Sequence, residues 1–193
     1  DQVCLSYRLE RLPRPSYNSI ESRVAAIDMN TNNIGFVVRD KDRIIHSELY
    51  DISQLTKKSG KASSSDASKK LVRKRQYETY VLCKRLVRIA KHYRVSVFAV
   101  EDLNFGLVED NGREFNRLTR NVWAFRQIQY SIKKSCVLSG MRYREVNASY
   151  SSFVGNLLYQ MPDPISAAAE IGRRGLTGIL FVDISELLSK IGR

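Results

Sequence analysis

Three acidic residues sit at the edges of apolar segments. Asp28 closes Val24-Ala25-Ala26-Ile27-Asp28, Glu101 closes Val97-Phe98-Ala99-Val100-Glu101, and Asp163 stands between Pro162 and Pro164. Carboxylates beside buried strands are costly unless a cation satisfies them. Three hard oxygen ligands with open positions suit Mg²⁺ or Mn²⁺, not zinc. Two such ions about 4 Å apart can activate a water and steady the leaving oxygen of a phosphodiester. Repulsion within the cluster favours metal uptake. Each acid also has a plainer reading: Asp after a strand forms turns, and Asp163 before Pro164 caps a helix. Asp102 competes with Glu101, and strand alternation lets only one of the two face the site. Asp183 is most simply the N-cap of a helix over Ile184 to Ile191.

The charge balance points the same way. There are 32 Lys and Arg against 20 Asp and Glu in 193 residues, a net +12, which favours a nucleic-acid or acidic-surface partner, with solubility as the plainer reading. Between Lys69 and Arg94 there are ten Lys or Arg and one acid, Glu78. Lys69, Lys70, Arg73, Lys74 and Arg75 form the densest cluster and are expected to track phosphates; the competing reading is a solubilising face. Arg113, Arg117, Arg120 and Arg126 extend the basic surface, and Arg173 and Arg174 share a helix with Asp163, placed to hold the scissile strand. Trp123 and Tyr130, seven residues apart on one helix, read as core in preference to a base-stacking platform.

Other chemistries find no support. His46 and His92 have no ligand spacing, and Ser149, Ser151 and Ser152 lack a His-Asp pattern. Cys4, Cys83 and Cys136 are far apart and form no CxxC pair, which argues against disulfides and structural zinc and for a reducing, cytoplasmic setting. No apolar run is long enough for a membrane span.

The elements that position the acids follow from periodicity. Val24 to Met29 is a doubly buried strand, Ile34 to Arg39 and Arg43 to Tyr50 follow short polar turns, and the three form an antiparallel meander. A Ser/Lys-rich loop covers 56–68. A helix from about Lys69 to Arg94 carries the stripe Leu82, Leu86, Ile89 and Tyr93, flanked by Cys83 and Ala90. Val95 to Val100 is the next strand. A helix from about Asn116 to Leu138 turns Val122, Phe125, Ile128, Ile132 and Cys136 inward, and Met141 to Val146 is the last strand. Helical crossovers imply parallel pairing. The last helix starts near Pro164 with Asp163 as N-cap, and Gly175 ends it. The expected class is α/β: a five-stranded mixed sheet, three strands antiparallel and two parallel, with helices on both faces. Residues 1–20 read as the last strand (Val3 to Leu9) of a preceding module plus a linker, or alternatively a frayed tail; 21–193 form the main domain, with a basic helical insertion at about 66–94.

The segments Ala26-Ile27-Asp28-Met29-Asn30, Val100-Glu101-Asp102-Leu103-Asn104, Val146-Asn147-Ala148-Ser149-Tyr150-Ser151-Ser152 and Ala167-Ala168-Ala169-Glu170-Ile171-Gly172-Arg173-Arg174-Gly175 resemble, in order and spacing, the RuvC-like nuclease domain of TnpB (OrfB) proteins, transposon-encoded relatives of type V CRISPR effectors. The resemblance spans roughly 22–176. It implies an RNase H-like fold, a Mg²⁺-dependent endonuclease with Asp28, Glu101 and Asp163 as its metal-binding triad, and a guide RNA beside the DNA. Two departures stand out. The family's CxxC…CxxC zinc ribbon is missing, since only Ser152 to Pro162 separate Ser151 from Asp163, so no zinc is expected. The usual third motif Asp-x-Asn-Ala-Ala is replaced by Asp163-Pro164-Ile165-Ser166-Ala167. These departures leave open a catalytically weak or inactive nucleic-acid-binding module; a stand-alone dimeric resolvase is a third reading.

Overall fold

The computed structural model describes residues 16–56, 65–102 and 113–178. Three strands, β1 (Ile20–Met29), β2 (Asn33–Arg39) and β3 (Ile44–Asp51), pair antiparallel in succession. Their connections are tight for evident reasons. The Asn30 amide bonds the Asn33 carbonyl at 2.9 Å, and the Asp40 carboxylate accepts the backbone amides of Asp42 and Arg43 at 3.0 and 2.9 Å, a turn an Asp side chain favours. Two further strands, β4 (Val95–Glu101) and β5 (Arg142–Val146), lie parallel to β1, giving the order β3-β2-β1-β4-β5. The expected mixed sheet, three strands antiparallel and then two parallel, is what forms.

The helices are α1 (Ser53–Thr56), α2 (Ser65–His92), α3 (Arg113–Leu138), α4 (Ser151–Tyr159) and α5 (Asp163–Thr177). Alternation along the strands sorts the core into two faces. Ala25, Ile27, Phe36, Val38, Phe98 and Val100 point toward α2 and α3, against Leu86, Ile128 and Ile132. Val24, Ala26, Val97 and Ala99 point the other way, against Ile171 of α5. Val37 joins Ala168 and Ala169 on that same side.

Several expectations shift. Both α2 and α3 begin earlier than their apolar stripes suggest, because polar first turns carry no burial signal. On α2 the buried positions are Thr79, Cys83, Leu86, Val87 and Ala90, with Leu82 and Ile89, and Tyr93 just past its end, only partly covered. Helix α4 was not expected; it is short, has Gly155 inside it and follows Tyr150 in the left-handed region (φ 61°) instead of a polar cap. The N-cap of α5 is Pro162, whose carbonyl accepts the amides of Ile165 and Ser166, so Asp163 is the first helical residue and not the cap. Gly175 does not end α5: the helix runs to Thr177 and is closed by Gly178 (φ 71°). An alanine methyl at Gly175 would lie 2.6 Å from the Ala99 methyl, so close packing on β4 is its reason. The readings for Val3 to Leu9, most of the Ser/Lys-rich loop and the helix after Asp183 lie outside the described residues. Among the described residues no helix is long and apolar enough to cross a membrane.

Candidate active site

Parity places the acids. Asp28 follows Val24 and Ala26 on the α5 face of β1, and Glu101 follows Val97 and Ala99 on the α5 face of β4. The parallel register pairs Ala26 with Ala99, so two residues further on Asp28 and Glu101 reach the same sheet edge side by side. Asp102 falls on the opposite parity, outside the strand and exposed.

Asp163 arrives from above. Asp28 is paired across the antiparallel ladder with Gly35 of β2. The space a side chain would fill at Gly35 is taken by the backbone of α5: a built Cβ would lie 1.9 Å from the Pro164 carbonyl oxygen. The absence of a side chain at position 35 therefore lets the first turn of α5, and Asp163 with it, settle beside Asp28.

The electrostatics register this meeting. Asp28 is buried (6% exposed). Burial first, then the charges of Glu101 and Asp163, push its carboxyl up to about 7, against the opposing hydrogen bond from Asn30. Glu101 is also raised, by burial and then by Asp102. Two amides orient the oxygens: Asn30 Nδ2 donates to Asp28 Oδ2 at 3.0 Å, and Asn156 Nδ2 of α4 donates to Asp163 Oδ1 at 2.7 Å. Neither amide was singled out from the sequence; Asn30 had a signal in its i+2 spacing, Asn156 none, since α4 itself went unseen. Three carboxylates on one edge, one of them raised by burial and then by the other two charges, are hard oxygen donors whose chemistry fits a divalent ion. Among the described residues no three His, Cys, Asp or Glu side chains are spaced to hold a metal ion.

The basic residues separate into two groups. Lys69, Lys70, Arg73 and Lys74 are exposed on α2 and Arg75 is half-buried; Lys69 lies 3.7 Å from Asp66 and Lys74 3.8 Å from Glu78. Helix α2 enters β4 at its start, so its N-terminal turns point toward the edge holding Glu101. Its buried positions run from Thr79 to Ala90, about 18 Å of helix, comparable to the about 23 Å of seven-residue β4. The turns carrying Lys69 to Arg75 thus project past the sheet on the acid side. Arg113, Arg117 and Arg120 belong to α3, with side chains outside the described residues; Arg126 is exposed.

Arg173 and Arg174 are differently employed. Arg174 is 4% exposed; its Nε donates to Glu170 Oε1 at 2.8 Å and its Nη1 to the carbonyls of Asn147 and Ser149 at 2.8 and 3.0 Å. Arg173 forks onto the fully buried Glu170 with two 2.8 Å bonds. Arg174 is turned into the fold, where it ties the β5–α4 connection to α5. Tyr130, expected in the core, is 59% exposed.

No protein-family model matches the chain, and no curated protein sequence does. Solved structures do. A Cas12f1 chain in a complex with sgRNA and target DNA superposes with TM-score 0.55 at 13% identity, over 83% of this chain and 40% of that one. RuvC from T. thermophilus, in complex with Holliday junction substrate, gives TM-score 0.47 at 12% identity, over 78% of this chain and 90% of that one. The Thermus thermophilus RuvC structure gives 0.45 at 13%, over 78% and 91%. The sheet order and flanking helices are those of the RuvC-like, RNase H-like fold.

Proposed function

We propose that this chain is the metal-dependent nuclease domain of a TnpB-like, transposon-associated and RNA-guided DNA endonuclease. The observation that carries this reading is the convergence of Asp28, Glu101 and Asp163, from two adjacent parallel strands and one overlying helix, such that burial and both neighbouring charges raise Asp28 to about 7. The Cas12f1 neighbour, imaged with sgRNA and target DNA, supports nucleic acids of both kinds as partners.

Asp28, Glu101 and Asp163 would hold Mg²⁺ or Mn²⁺. Bound there, divalent ions supply water activation and charge neutralisation at a phosphodiester. The chain's own contribution is positional. Asn30 and Asn156 each fix one carboxylate oxygen, of Asp28 and Asp163 respectively. The burial of Asp28 keeps bulk water from screening the charges. Lys69, Lys70, Arg73 and Lys74 draw a polyanion to that edge without reading its sequence.

The test is calorimetric titration of Mn²⁺ into wild type and Asp163→Asn, alongside cleavage of a DNA substrate with guide RNA by Asp28→Ala and Glu101→Ala. Mn²⁺ binding that collapses in Asp163→Asn, and cleavage lowered on the order of 10²-fold or more in the alanine variants, are the expected results. Cleavage that survives both alanine substitutions would falsify the assignment. A second reading, a nucleic-acid-binding module without turnover, draws on the amide already occupying Asp163 and the absence of a ligand-spaced trio among the described residues. It predicts salt-sensitive binding and no Mn²⁺ uptake in either protein.

A further inference from the structure

Where α2 and α3 run side by side toward their C-termini, a groove of about 740 Å³ opens between them. Its cations are Lys84, Arg85, Arg88, Lys91 and Lys134, and among the described residues no acid lines it. Of these five, only Arg85 has an acidic partner among the described residues, Glu48 at 3.4 Å. The floor and walls are apolar or aromatic: Val87 is buried, while Tyr80, Val81 and Leu138 are 43%, 47% and 54% exposed.

The location sets this groove apart from the acids. Helix α2 ends at His92 and leads into the start of β4, and α3 ends at Leu138 and leads into the start of β5. The groove lies in the α2–α3 layer on one side of the sheet, whereas α5, which carries Asp163, packs on the other. Complementing the helix dipole is a plain reading for cations near a C-terminus. It covers Lys91, in the last turn of α2, but not Lys134, because α3 has no basic residue in its last turn.

We infer that the α2–α3 groove is a second nucleic-acid site, one that holds a single strand by its phosphates and stacks its bases on exposed aromatic rings, on the side of the sheet opposite α5. The charge selects a polyanion, and the apolar lining selects one with unpaired bases over a duplex, whose bases are hidden. The Lys84 ammonium sits 5.0 Å from the centre of the Tyr80 ring, the pairing of cation and aromatic face that a stacked nucleotide shares. A smaller hollow of about 290 Å³ shares Val81 and Arg85 and adds Tyr77, 68% exposed, together with Glu78. Aromatic surface therefore continues along α2 beyond the groove.

The experiment is fluorescence anisotropy with 20-mer oligo(U) and oligo(dT), without divalent metal so that no cleavage enters, across a salt series. Wild type is compared with the triple variant Lys84→Glu, Arg88→Glu, Lys134→Glu and with Tyr80→Ala. Circular dichroism confirms that each is folded, as expected for exposed positions. The triple variant should bind at least 10-fold more weakly, and its log–log salt slope should fall by about 2, the value for three lost single-strand phosphate contacts. Tyr80→Ala should weaken binding with the slope unchanged. Loss for oligo(U) alone assigns the groove to RNA, loss for oligo(dT) alone to DNA, and loss for both to the backbone chemistry they share. Unchanged affinity in the folded triple variant, or a loss without a change of slope, overturns the inference; the latter would mark the groove as a protein-docking surface. None of these outcomes depends on whether the chain cleaves.

Discussion

On one side of the sheet, strands meet helices through Phe36, Phe98, Leu86, Ile128 and Ile132; on the other they meet α5 through Ala26, Ala99, Ala168 and Ala169. Large side chains fill space and tolerate small adjustments, because a displaced helix can be followed by a change of rotamer. Alanines and glycines bring backbone close to backbone, where nothing can adjust. The α2–α3 side is thus the source of most buried apolar surface, and the α5 side fixes where Asp163 stands relative to Asp28 and Glu101. Stability and positional accuracy are assigned to opposite faces.

The contrast can be broken at its strongest point first. Glu170 is fully buried between Arg173 and Arg174. Removing one partner of such a cluster leaves uncompensated charge, so Glu170→Ala should destabilise the fold by about 3–5 kcal/mol in chemical denaturation. Ile132→Ala, on the opposite face, should cost about 2–5 kcal/mol as a cavity yet leave Mn²⁺ affinity within a factor of about two. Gly35→Ala should show the reverse pattern: a smaller loss of about 1–3 kcal/mol, with Mn²⁺ affinity reduced about 10-fold because the start of α5 is pushed away. If Ile132→Ala weakens Mn²⁺ binding as much as Gly35→Ala does, the division between the faces is wrong.

The remaining effect is electrostatic. Asp28 is held near 7 in the fold against an ordinary value of 3.8. The native chain therefore holds this proton more tightly than the unfolded chain between those values, and metal-free stability falls as pH rises through that window. The slope from this group is about 1 kcal/mol per pH unit, with the penalty fully present above about 7 and gone below about 4. Glu101 adds a slope of the same sign, while Asp40 and Glu48, both lowered, oppose it. The informative measurement is the difference between wild type and Asp28→Asn, with the variant more stable at pH 8 and the gap closing toward pH 4. A gap independent of pH would mean that Asp28 is not the group under strain.

Most of the sheet could be read from the chain because its signals are local. A continuous apolar run and short polar turns gave the meander, and helix-length crossovers gave the parallel pair; together they put Asp28 beside Glu101. What could not be read depends on contacts between distant segments. The burial of Arg174 is settled by carbonyls at Asn147 and Ser149, and nothing in its own neighbourhood distinguishes it from a solvated cation. Tyr130 follows helical spacing but falls outside the buried stripe of Phe125, Ile128 and Ile132. Helix α4 has no polar cap and contains Gly155, so its support comes from packing on α5. The amide on Asp163 was hidden with it.

Gly35 also has a genetic consequence. Every other encoded amino acid carries a carbon where the Pro164 carbonyl oxygen already sits. Every missense change of the codon for residue 35 therefore forces the start of α5 off strand β2. The site is for that reason insulated from gradual drift at this position: a lineage that loses the glycine must rebuild the seat of its third acid in the same step.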